Sequence, residues 1–66
     1  MSHEQDEILR EIIGDVPRVI ALAARFMREL DRFPHEPRTD ALWAKFHDIK
    51  QAAQEALAAA KKAIEQ

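Results

Sequence analysis

Eight apolar residues in the first half of the chain, Leu9, Ile12, Val16, Val19, Ala23, Phe26, Leu30 and Phe33, recur at alternating intervals of three and four. That spacing keeps them on one side of a helix and is the pattern of helices packed lengthwise against one another. A strand cannot use it, because strand side chains alternate faces at every residue. The pattern crosses Gly14 and Pro17 without losing phase. Proline in a helix interior removes one hydrogen bond and crowds the carbonyl four residues earlier, so a kink or break is expected at residues 14–17. A two-residue loop would shift the apolar phase, and the intact phase favours a single kinked helix over two separate ones.

Helix signals set the expected bounds. Ser2 is placed to cap the first helix, with Gln5 three residues on to complete a capping box. Glu4, Asp6 and Glu7 follow where the helix dipole favours negative charge. Pro34 disfavours helical geometry at Phe33, so the first helix is expected to span about residues 3–32. Residues 33–39 form a short, stiff connection. Thr39 or Asp40 caps a second helix running from about 40 to 64.

The second helix repeats the spacing with Leu42, Phe46, Ile49, Ala53, Ala56, Ala60 and Ala63, flanked by a row of Trp43, Leu57 and Ile64. A short connection folds two such helices antiparallel. Phe26, Met27, Leu30 and Phe33 should then lie near Leu42, Trp43 and Phe46 beside the connection. The bulky residues Ile8, Leu9, Ile12 and Ile13 should meet the alanines of the other end. The expected fold is therefore all-α, an antiparallel helical hairpin in a single domain.

A chain of 66 residues buries a small core, and with no cysteine it has neither a disulfide nor a thiolate metal site to reinforce it. Association is the remaining source of stability. The first helix carries more apolar surface than one neighbour needs, since Ile13, Ile20 and Met27 run beside the main stripe and Ile8 and Leu22 widen it. Two hairpins pairing into a homodimeric four-helix bundle would cover these rows. The alternative is a monomeric three-helix bundle in which residues 3–13 fold back. Ile13, Ile20, Phe26, Met27, Leu30, Trp43 and Phe46 are the expected contacts with a second copy, or with another helical protein.

Several constellations invite a chemical reading. Arg18, Arg25 and Arg32 are seven residues apart, with Arg28 beside them and Arg38 in the connection. Arginine forks in a row can grip phosphates. A dimeric hairpin doing so resembles the Rop-type RNA-binding bundle in architecture, though no motif of that family is present. Glu29 and Asp31 dilute the patch and the net charge is −2, so a solvated helix face is the favoured reading. The histidines at 3, 35 and 47 lack the spacing that brings three or four ligands onto zinc. Ser2 and Thr39 supply all the side-chain hydroxyls and are better explained as caps. Glu7 and Glu11 read as an acidic helix face. No catalytic residue, cofactor or metal is expected.

The leading expectation is a small, non-enzymatic interaction or regulatory module, with a nucleic-acid-binding bundle as the alternative. The acidic N-terminus differs from a secretory signal, and the longest apolar run, Val19 to Ala24, is far too short to span a bilayer. A cytoplasmic protein without membrane contact is expected.

Overall fold

The computed structural model describes residues 2–66, which form two helices, α1 from His3 to Asp31 and α2 from Pro37 to Glu65, packed against each other along their length. The hairpin is a rod of 50 × 14 × 13 Å. Neither helix is long and apolar enough to cross a membrane.

The start of α1 follows from its first residues. Ser2 has extended backbone angles, its Oγ accepts from the Gln5 N–H at 3.2 Å, and its own N–H donates to Gln5 Oε1 at 3.4 Å. This reciprocal pair satisfies two donors that would otherwise be orphaned at the helix terminus. Helix α1 then continues through Gly14 and Pro17 to Asp31, so residues 3–13 do not form a separate helix. Pro17 is exposed, which leaves the carbonyl freed at Ile13 open to water. Gly14 has ordinary helical backbone sign, and a Cβ built on it would meet nothing within 4 Å. Gly14→Ala is therefore expected to stabilise the protein by about 1 kcal/mol, through higher helix propensity and a less flexible unfolded chain. Chemical denaturation should show the midpoint rising.

Helix α2 begins three residues earlier than the sequence suggested, at Pro37 rather than Asp40. Proline fits the first helical position because its missing N–H is one of the donors that lack an intrahelical partner there. Glu36 is the N-cap, with φ −144° and ψ 155°, and makes no side-chain cap. Its carbonyl instead accepts from the Asp40 N–H at 2.9 Å and from the Thr39 hydroxyl at 3.1 Å. Thr39 and Asp40 thus lie inside the first turn, and the connection contracts to Arg32–Glu36.

The seam between the helices takes Leu9, Ile13, Val16, Ile20, Ala23, Met27 and Leu30 from α1, and Trp43, Phe46, Lys50, Ala53, Leu57, Ala60 and Ile64 from α2. Both sets keep the three-four spacing, one residue away from the expected stripes at every second position. Leu9, Val16, Ala23 and Leu30 are shared with the expected stripe and Ile12 stays half-buried beside Ile13, but Ile20 and Met27 replace Val19 and Phe26. In α2, Trp43 and Leu57 take the place expected of Leu42 and Ala56, and Lys50 that of Ile49, while Ile64 joins the expected Ala63. Ala23 and Ala60 are the most enclosed side chains, at 2% and 5% exposure, followed by Met27 at 9%. Small residues at the centre of the seam let the helix axes approach closely.

Candidate interaction surface

Turning each helix by one side chain leaves the other apolar row outside. Val19, Phe26 and Phe33 of α1 are exposed, with Ile8 and Leu22 beside them, and so are Leu42 and Ile49 of α2. Leu22 is 48% exposed and Ile49 45%, values that a single isolated apolar residue would carry without comment but that here recur along both helices. The two rows share a side of the hairpin. Equivalent heptad positions flank the same side of an antiparallel seam, and Phe26 meets Phe46 with ring centroids 5.3 Å apart and planes tilted by 35°. One broad face of the rod is thus apolar along its length.

The residues expected at a partner interface divide between the two surfaces. Ile13, Ile20 and Met27 lie in the hairpin's own seam, together with Leu30 and Trp43. Phe26 lies on the exposed face, and Phe46 is half-buried between seam and face. The large apolar residues that open most fully to solvent are Phe33 and Ile8, followed by Leu22, Leu42, Ile49 and Val19, all of which the spacing alone assigns to a seam or its flank. Adjacent apolar pairs at 12–13, 19–20 and 26–27 were the available signal, since a helix with one neighbour needs only one member of each pair.

The opposite face is polar. Arg18, Arg25 and Arg28 of α1 and Arg32 at its C-cap are exposed. Arg32 Nη1 donates to Glu29 Oε2 at 3.0 Å, and the Arg25 guanidinium stands 5.6 Å from the centre of the Phe26 ring. Arg38 belongs to the first turn of α2, not to the connection, and donates to Glu36 Oε1 at 3.3 Å. All five arginines are exposed, and they divide between the two helices and the C-cap of α1. Glu29 beside Arg32 and Glu36 beside Arg38 reduce the positive potential that those two offer a phosphate.

The histidines occupy three separate environments. His3 Nε2 lies 2.9 Å from Glu7 Oε1 at the start of α1. His47 stacks on Trp43 one turn earlier, with ring centroids 5.5 Å apart and planes within 14°. His35 Nδ1 lies 2.9 Å from Asp40 Oδ1, across a shallow depression lined also by Asp31 and Trp43. The Trp43 indole nitrogen is buried there without a hydrogen-bond partner among the described residues. Among these residues no group of three or more His, Asp or Glu side chains is placed to hold a metal ion.

The hydrogen bond to Asp40, followed by the charge of that carboxylate and the more distant charge of Asp31, raises the His35 pKa above its ordinary 6.5 against a smaller opposing desolvation. A raised pKa in the folded state means that the protonated pair stabilises the turn. The contribution is fully present below pH 6.5 and is lost as the pH climbs through the raised value. An NMR titration of the His35 ring should give a midpoint above 6.5, and Asp40→Asn should return it toward 6.5. A wild-type midpoint at or below that value would contradict the pairing.

No protein family, curated protein or solved structure matches the chain.

Proposed function

We propose that this protein is a non-enzymatic interaction module of regulatory type, which works by packing its apolar face against further helices and does so first with a second copy of itself, as a four-helix bundle. The observation that carries this reading is the set of exposed apolar side chains on one side of the rod, Ile8, Val19, Leu22, Phe26, Leu42 and Ile49. The shape agrees with it. A compact monomer of this mass should expose about 4,300 Å², whereas the hairpin exposes 5218 Å². Its radius of gyration is 15.2 Å, against about 11 Å for a compact domain of this length. The rod is half of a well-proportioned bundle. Its 50 by 14 Å face has a footprint of about 700 Å², close to the roughly 800 Å² each partner contributes to a stable interface.

The side-chain hydroxyls support a non-catalytic reading, since Ser2 Oγ receives the Gln5 N–H and Thr39 Oγ1 donates to Glu36. Light scattering coupled to size exclusion tests the assembly. Twice the chain mass of 7.6 kDa is expected at micromolar concentration, and a single-chain mass up to hundreds of micromolar would overturn the proposal. The nucleic-acid alternative predicts RNA or DNA affinity that falls steeply with salt. No affinity even at low salt is expected here.

A further inference from the structure

We infer that the two copies lie with their connections at the same end, related by an axis parallel to the helices, so that α1 of each packs on α2 of the other. This rests on the self-association proposed above and adds the geometry of the partner. The register within one hairpin is fixed at two points. Phe26 is level with Phe46, and Ile8 and Leu9 share a cleft with Ala63 at the open end. By helical rise, Glu29 is then level with Trp43 and about 3 Å along the axis from Lys45, while Leu22 is level with Lys50.

The outer edge of the apolar face is different on the two helices. On α1 the edge row reads Ile8, Asp15, Leu22, Glu29; on α2 it reads Arg38, Lys45, Ala52, Ala59. One row is acidic and bulky, the other basic and small. Placing α1 on the partner's α2 sets Glu29 beside the partner's Lys45, Leu22 beside the partner's Ala52, Asp15 beside the partner's Ala59 and Ile8 near the partner's Gln66. Leu22 then meets a small residue, and one pair of opposite charges meets at each rim. The other two-fold arrangement, with connections at opposite ends, puts α1 on α1 and α2 on α2. Its acidic row then faces a row without a base, its basic row faces a row without an acid, and the alanines of α2 face one another across a gap held open by the α1 pair. Charge and size both favour connections at the same end.

The absence of native cysteine makes the test direct, because a single introduced thiol labels one position. His35→Cys carrying a nitroxide, measured by pulsed dipolar spectroscopy, should give an inter-label distance of about 15–25 Å, since bundle axes are 8–10 Å apart. A distance near the 50 Å length of the rod would overturn the inference while leaving self-association intact. A single-chain mass by light scattering would remove both. A charge exchange supplies an independent reading. Glu29→Lys should weaken the dimer about fivefold, and adding Lys45→Glu should restore it. Failure of the second change to restore affinity would also count against this arrangement.

Discussion

Met27→Asp is expected to unfold the chain at every protein concentration. Met27 is the largest of the three enclosed side chains, and it sits in the seam opposite the aromatic end of α2. Truncating such a residue costs about 2–5 kcal/mol through lost burial and the cavity left behind. The aspartate adds the cost of a carboxylate held among apolar groups, more than a turn along the axis from Lys50, the one cation of the seam. A domain of this size is stable by only about 3–10 kcal/mol, so the change removes most or all of it. Far-UV circular dichroism should show helix content collapsing, with no recovery on raising the concentration. A helical Met27→Asp chain would mean that the seam has been assigned to the wrong row.

Ile49→Glu should act on association instead. Ile49 belongs to the exposed row of α2 and is nearly half exposed in the single hairpin. A glutamate there is tolerated by one hairpin but places two like charges in the centre of the dimer, one from each copy. Dissociation should become at least about a hundredfold easier, equivalent to some 2.8 kcal/mol. Light scattering should then report the single-chain mass at concentrations where the unaltered protein is paired, with helical content retained. An undiminished double mass would show that this face is not the interface.

The contrast between these variants follows from what the sequence makes legible. Helix ends were readable where a local signal has one meaning: Ser2 with Gln5 opens α1, and Pro34 closes it. The neighbourhood of Phe26 and Phe46 was readable as well, because a short connection forces antiparallel pairing. Pro37 has no single meaning in the sequence, because proline is compatible both with an extended segment and with the first turn of a helix. The facing row is ambiguous in the sequence for a deeper reason. Positions 12 and 13, 19 and 20, and 26 and 27 are all apolar, so periodicity within α1 favours neither row. The choice depends on α2, where Trp43, Leu57 and Ile64 offer more buriable carbon than Leu42, Ile49, Ala56 and Ala63. Only the two helices together resolve it.

The seam tapers from one end to the other. Met27, Phe26, Phe46 and Trp43 gather beside the connection, while the far end has alanines at 53, 60 and 63 opposite a helix weakened by Gly14 and Pro17. Local opening is cheapest where apolar contact is thinnest and a backbone hydrogen bond is already missing. Amide hydrogens before Pro17 and after Ala53 should therefore exchange with solvent sooner than those flanking the connection. The rod opens like a clasp with a fixed hinge: its free ends part and reclose while the aromatic end keeps the two helices in register.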